Sequence, residues 1–268
     1  MQTLAQYKKR LPPDSRQRLR EVQIGRFKWL VNIPCALFFR KNLRMLATIY
    51  GSDKWNSHWY AQHYERHFAD IRRDKLNILE IGIGGYENPR AGGNSLRMWR
   101  AYFSRAHIYG VDIYDKSPHS ERRITTLRGS QIDAAFLDSI IQQIGTIDIV
   151  IDDGSHLNQH VITTFKSLFP YVAPGGFYVV EDTQTSYWPE DGNVTDRNDA
   201  QTTIGFFKAL ADGLNYEEFL NEHQPTYFDH NITGIAFYHN LVVIKKGLNQ
   251  EGSNMRRSRQ ETAATVEL

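Results

Sequence analysis

From Leu76 to Lys246 short apolar runs alternate with amphipathic stretches, and no other feature constrains the fold as much. Candidate strands fall at 76–81, 107–112, 123–128, 147–152, 176–181, 234–238 and 241–246, with helical stretches at about 95–104, 132–143, 157–171 and 200–212. Such alternation predicts a mostly parallel sheet whose right-handed helical crossovers cover both faces. Only His239-Asn240 separates the last two strands, which is too short for a crossover and predicts an antiparallel hairpin at one edge. The expected architecture is α/β and Rossmann-like, with seven strands and an antiparallel edge strand.

A length of 268 residues fits one such domain with terminal additions. Residues 1–41 read as a basic extension broken by Pro12-Pro13, 42–248 as the α/β domain and 249–268 as a polar, flexible tail. Within the domain, 42–75 is a helical part, with Leu43, Met45, Leu46 and Ile49 on one helix and Trp59, Tyr60, Tyr64 and Phe68 on the next. A net charge of +2 gives no argument for nucleic acid as a partner. Cys35 is the sole cysteine, which excludes an intrachain disulfide and a cysteine-based zinc site and fits a reducing cytoplasm. The run Trp29 to Phe39 is interrupted by Asn32 and Pro34 and falls short of the roughly 20 residues of a membrane span. It also lacks the pattern of a secretory signal, so a cytoplasmic protein without a membrane span is expected.

Ligands of open α/β sheets bind beyond the carboxyl ends of the strands, where strand order reverses. After the first strand comes Glu80-Ile-Gly82-Ile-Gly84-Gly85-Tyr86, then a long loop to Ser95. Gly82 and Gly84 let the backbone pass close to a ligand, and Ser95 reads as the N-cap of the next helix, whose N-terminus favours a carboxylate. Asp112 ends the second strand where an acid accepts hydrogen bonds from ribose hydroxyls, and Ser130 and Gln131 follow the third where polar groups read an adenine edge. A dinucleotide site prefers a third glycine and an immediate helix for its pyrophosphate. Here about ten residues intervene, and the Glu80 carboxylate suits the ammonium of S-adenosylmethionine instead. With the terminal hairpin, this favours the methyltransferase variant of the fold.

Strand four ends in Asp152-Asp153-Gly-Ser-His156 and strand five in Glu181-Asp182. Adjacent parallel strands bring these four acids to one rim, where they repel unless a cation neutralises them. Oxygen donors and an incomplete protein ligand set suit Mg²⁺, with Mn²⁺ as a substitute. His156 and His160 form an alternative zinc-type pair of lower rank. With a carboxylate site, His156 is left as a general base that takes the proton of an acceptor hydroxyl.

Taken in order, these segments resemble the metal-dependent sugar O-methyltransferases of antibiotic biosynthesis, the macrocin, mycinamicin and rhamnosyl-tetracenone group. The likeness runs from about Tyr50 to Ser253. It rests on Tyr50-Gly-Ser-Asp-Lys-Trp55, Glu80-Ile-Gly-Ile-Gly-Gly-Tyr86, Ala91-Gly-Gly-Asn-Ser-Leu-Arg-Met-Trp99 and Tyr109-Gly-Val-Asp-Ile113. Gly129-Ser-Gln131, Ile151-Asp-Asp-Gly-Ser-His156, Glu181-Asp-Thr-Gln-Thr-Ser-Tyr-Trp188 and Phe237-Tyr-His-Asn-Leu-Val-Val243 extend it. The resemblance implies that Asp153, Glu181 and Asp182 hold Mg²⁺ and that His156 is the base. It also implies that Glu80, Gly82, Asp112, Ser130 and Gln131 bind S-adenosylmethionine. The implied acceptor is a glycoside or polyketide-attached sugar, and the resemblance admits a homo-oligomer.

Acceptor choice is expected from two loops, Thr183 to Asp199 with Tyr187 and Trp188, and Asn221 to Asn231 with Tyr227 and Phe228. Their rings serve either as stacking surfaces for the acceptor or as ordinary loop anchors. Two rival functions differ in class. One is a nucleotide-dependent Rossmann oxidoreductase, which the glycine spacing disfavours. The other is a non-catalytic S-adenosylmethionine-binding protein, against which the intact acids and His156 argue.

Overall fold

The computed structural model describes residues 36–188 and 198–253. Cys35, most of the basic extension, 189–197 of the first acceptor loop and the tail beyond Ser253 lie outside the described residues. The chain divides into two compact units, Met1–Asp70 and Ile71–Leu268, a division that falls inside the 42–75 helical part. Among the described residues no helix is long and apolar enough to cross a membrane.

The first unit contains α1 (Leu43–Tyr50) and α2 (Ala61–Phe68). Asn42 caps α1 by accepting from the Met45 N–H, and Gly51, at φ 70°, ends it in the left-handed conformation that glycine takes without penalty. On α2 the buried Tyr64 and Phe68 rings lie 5.4 Å apart, one turn from each other.

The second unit is built on seven strands, β1 (Asn77–Ile81), β2 (His107–Asp112), β3 (Ile124–Arg128), β4 (Ile147–Asp152), β5 (Val172–Glu181), β6 (Ile232–Tyr238) and β7 (Leu241–Lys246). Their order is β3-β2-β1-β4-β5-β7-β6. All pairings are parallel except those of β7, which runs antiparallel to both β5 and β6. The hairpin thus inserts its second strand beside β5 and leaves β6 outermost. Helices α3 (Asn94–Tyr102), α4 (Ala134–Ile144) and α5 (Asn158–Leu168) connect β1 to β2, β3 to β4 and β4 to β5. Between β5 and β6 lie α6 (Thr203–Asp212) and the short α7 (Tyr227–Asn231). Strand order reverses between β1 and β4, which places a crevice beyond their carboxyl ends.

The elements follow their sequence patterns closely, with two informative differences. β5 begins at Val172 rather than 176, because Val172 pairs with Ile147 before the register shifts to Ile149 opposite Phe177. Pro174-Gly-Gly176 is therefore an irregularity inside the strand. α7 was not expected. It is set by a capping box in which Thr226 and Asp229 each accept from the other's backbone N–H. On one face of the sheet, Phe165 anchors the core, with Phe169, Tyr178 and Phe207 rings 4.8, 4.9 and 5.1 Å away.

Candidate active site

The loop after β1 and the loop after β4 are in backbone contact. Asp153 N donates to Ile81 O at 2.9 Å, and a Cβ on Gly82 would stand 1.9 Å from the Asp153 carbonyl oxygen. Gly82, at φ +88°, is therefore required for packing against the Asp153 loop, in addition to any role beside a ligand. Gly84 also has a positive φ, +74°, but open space around it, the nearest atom being 4.0 Å from an added Cβ.

Glu80 is buried, and one carboxylate oxygen accepts from Ser95 Oγ at 2.9 Å. Ser95 is not the N-cap: α3 starts at Asn94 behind Gly93, whose left-handed backbone makes the turn without a side-chain cap. The Ser95 hydroxyl, on the second residue of the helix, donates its proton to Glu80 and holds that carboxylate in place. Asp112 accepts from Ile83 N at 3.0 Å through one oxygen and from Tyr114 N at 2.9 Å through the other. It ties the glycine loop to the end of β2, and each oxygen keeps lone-pair capacity for a further donor.

Ser130 and Gln131 separate in role. Ser130 stays half-buried at the rim. Gln131 turns inward: its amide nitrogen donates to Asp152 at 3.2 Å and Thr164 Oγ1 at 3.1 Å, and its carbonyl oxygen accepts from Ser155 N at 2.8 Å. Both amide hydrogens are used inside the protein, and the carbonyl oxygen keeps one lone pair for a ligand donor. Asp152 takes this donor together with Tyr178 OH at 3.3 Å and Gly154 N at 3.4 Å. Burial pushes its carboxyl up to about 6, against the opposing pull of His156 and of these hydrogen bonds. Burial and the Asp152 charge in turn raise the Tyr178 phenol above its ordinary value.

Of the four strand-end acids, then, Asp152 belongs to the interior. Asp153 and Asp182 are partly exposed beside His156, whose Nε2 lies 3.9 Å from Asp153 Oδ1 and 3.8 Å from Asp182 Oδ2. Ligand atoms of these three residues lie within 4.8 Å of one another. Glu181, 3 % exposed at the end of β5, is not in that group. Nor is His160 in that group; its Nδ1 bonds Ser155 Oγ at 2.8 Å.

His156 and Asp182 both have left-handed backbones, at φ 59° and 51°, which side-chain-bearing residues adopt at a cost. Thr185 holds them: its Oγ1 lies 2.7 Å from His156 O and 3.3 Å from Asp182 O. Sequence reasoning did not single out Thr185 or Tyr178, although Thr185 lies inside the Glu181 to Trp188 segment. Beyond Thr185 the rings of Tyr187 and Trp188 are exposed. In the second loop, Phe228 is an anchor, its ring tilted against that of Phe165 in the core at 5.4 Å, whereas Tyr227 remains exposed.

Two carboxylates with hard oxygen donors around an imidazole suit Mg²⁺ or Mn²⁺, and so few protein donors leave coordination positions for other oxygens. The donor set fits the expected cation.

Residues 90–183 match a family described as a methyltransferase domain. Over 217 residues the chain is 47 % identical to mycinamicin VI 2''-O-methyltransferase of Micromonospora griseorubida, covering 80 % of this chain and 54 % of that protein. Over 221 residues it is 48 % identical to 8-demethyl-8-alpha-L-rhamnosyl tetracenomycin-C 2'-O-methyltransferase of Streptomyces olivaceus, covering 81 % and 58 %. Among solved structures, MycE methyltransferase in complex with Mg, SAH and mycinamycin VI superposes with a TM-score of 0.75 at 48 % identity, over 79 % of this chain and 55 % of that one. The chain spans a little over half the length of the curated relatives it matches.

Proposed function

We propose that this chain, which carries a methyltransferase domain, transfers the methyl group of S-adenosylmethionine to a hydroxyl on the sugar of a glycosylated small molecule. The observation that carries the reading is the placement of Asp153 and Asp182 beside His156 at the carboxyl ends of β4 and β5, with the Asp153 loop in backbone contact with the Gly82 loop. When bound, S-adenosylmethionine supplies an electrophilic sulfonium methyl and Mg²⁺ acidifies a neighbouring hydroxyl.

The chain's own residues account for the rest. Asp112 orients ribose hydroxyls through its remaining lone pairs, and Glu80, fixed by Ser95, faces the cationic end of the cofactor. Gly82 and Gly84 shape the loop, and Ser130 lies at its adenine side. Asp153 and Asp182 would hold the cation, with Glu181, which the family resemblance implies as a third ligand, at the end of β5 immediately before Asp182. His156 takes the acceptor proton at Nε2 as the acceptor oxygen receives the methyl group, so a C–O bond forms while the C–S bond breaks. Holding the acceptor oxygen in line with the methyl group supplies much of the acceleration.

The acceptor class is drawn from the relatives, whose names give O-methylation at the 2'' position of mycinamicin VI and at the 2' position of a rhamnosyl tetracenomycin. Tyr187 and Trp188, exposed just after Asp182, offer faces on which a sugar or aglycone stacks. One observation favours a second arrangement of the same site: His156, not Glu181, stands in the cluster of ligand atoms, so the imidazole is a candidate nitrogen ligand.

Two measurements test the reading. Calorimetry should find tight S-adenosylhomocysteine binding and none of NAD. Methylation of a panel of rhamnosides and macrolide glycosides should stop on chelation and return with Mg²⁺. Nicotinamide binding in place of S-adenosylhomocysteine would overturn the cofactor assignment, and chelator-insensitive turnover would overturn the metal.

A further inference from the structure

The loop between β1 and α3 closes on a buried lysine. Lys116 is 1 % exposed, and its Nζ donates to the carbonyl oxygens of Tyr86 at 2.8 Å, Asn88 at 2.9 Å and Ala91 at 3.2 Å. An ammonium has three N–H donors, and all three are spent on this one loop. Among the described residues no carboxylate forms an ion pair with Lys116. A charge withdrawn from water is costly unless fully hydrogen-bonded, and lysine is among the residues least often buried. What the burial accomplishes here is to draw three carbonyls spread over six residues onto one point.

A second clamp acts beside it. His119 Nε2 lies 3.1 Å from the same Ala91 oxygen, and Arg97 bonds His119 Nδ1 and Gly93 O, both at 3.2 Å. Arginine only donates, so Nδ1 accepts and the imidazole proton sits on Nε2, directed at Ala91. The loop is correspondingly tight: a Cβ on Gly85 would fall 2.3 Å from Ala91 C, and one on Gly92 would fall 2.2 Å from Gly84 O. Both ends of the loop carry cofactor-site residues, Glu80 before it and Ser95 after it, and Ile83 inside it donates to Asp112.

We propose that Lys116 is a positioning residue which pins the 83–93 loop in its cofactor-binding form before the cofactor arrives, and so sets cofactor affinity without touching the cofactor. The proposal rests on the reading that this loop takes S-adenosylmethionine. Preorganisation of this kind raises affinity by removing the ordering cost from the binding step.

Hydrogen exchange on the ligand-free protein and calorimetry with S-adenosylhomocysteine test it. In the wild type, the amides of Asn88, Ala91 and Gly93, which donate to Gly85 O, Asn88 O and Ile83 O, should be protected without ligand. Lys116→Met, which keeps the volume and removes the donors, should speed exchange in that segment alone and weaken S-adenosylhomocysteine binding about tenfold or more. The KM for acceptor, at saturating cofactor, should stay within about twofold. Unprotected loop amides in the ligand-free wild type, or unchanged S-adenosylhomocysteine affinity in Lys116→Met, would overturn the proposal. If Lys116→Met does not fold, Lys116→Arg decides: its planar fork cannot reproduce the three-pronged ammonium, so unchanged loop exchange and affinity there would defeat the proposal. Failure of the wild type to bind S-adenosylhomocysteine would instead defeat the cofactor reading, and the exchange data would still judge the pinning.

Discussion

Ser155 N donates to the side-chain oxygen of Gln131 at 2.8 Å, so the loop after β3 supports the loop that carries Asp153 and His156. The same amide holds Asp152 and Thr164 through its nitrogen. Gln131→Ala should therefore act first on the loop that carries Asp153 and His156. A lost hydrogen bond that leaves a buried partner unsatisfied costs about 1–3 kcal/mol, which urea unfolding would register. Turnover should fall about tenfold through misplacement of the His156 loop, with S-adenosylhomocysteine affinity within about threefold of wild type. The reverse pattern, lost affinity with preserved turnover at saturating cofactor, would return Gln131 to the adenine pocket.

His156 has two candidate roles that kinetics can separate. As a general base its loss should lower kcat about 10²–10⁴-fold in His156→Ala, while the Mg²⁺ concentration for half-maximal activity and the cofactor affinity remain unchanged. As a ligand in the cluster with Asp153 and Asp182, its loss should raise the Mg²⁺ requirement. Asp182→Asn provides the reference for a ligand loss, because it removes a carboxylate from the same cluster. A Mg²⁺ titration of both variants therefore assigns the imidazole.

Gly82 and Gly84 look equivalent in sequence but should respond differently to alanine. Both have positive φ, and an L-residue in that conformation costs about 1–2 kcal/mol. At Gly84 the added methyl meets nothing closer than 4.0 Å, so that cost is the whole effect. At Gly82 the methyl would sit 1.9 Å from the Asp153 carbonyl, forcing the β1 and β4 loops apart. Gly82→Ala should be destabilised well beyond Gly84→Ala in urea unfolding, and its Mg²⁺ requirement should rise while its cofactor affinity falls. Equal destabilisation of the two variants would show that the loops move apart freely.

The contrast between these glycines marks how far the sequence could be read. The strands, the crevice at the β1/β4 reversal and the acids at strand ends were legible, because periodicity of two against 3.6 and the position of acids after apolar runs are local signals. Direction was not legible. Nothing local says that Gln131 turns inward while Ser130 stays at the rim, or that Asp152 enters the core while Asp153 stays partly exposed. Those choices follow from Thr164 and Tyr178, which arrive from α5 and β5. Lys116 was invisible for a different reason: a lysine in a polar loop reads as solvated surface, and only the folded loop supplies three carbonyls to bury it. Ser95 lies two residues past the actual cap, because Gly93 makes the turn that a capping hydroxyl was expected to serve.

His119 makes the cofactor-loop clamp pH-sensitive in a definite direction. Burial first, and the neighbouring Arg97 guanidinium second, hold its imidazole below the ordinary 6.5. The unfolded chain thus binds this proton more readily than the folded one, and between the lowered folded value and 6.5 unfolding takes up a proton. The contribution is fully present above 6.5 and is lost as pH falls through that window. His119→Gln cannot titrate and should lack this part of the pH dependence. The stability advantage of wild type over His119→Gln should be largest near neutral pH and shrink on acidification to about pH 5.5. Other histidines with lowered values, His63 and His107, are common to both proteins and cancel in the difference. A stability difference that stays constant across this range would show that His119 protonation is not linked to folding.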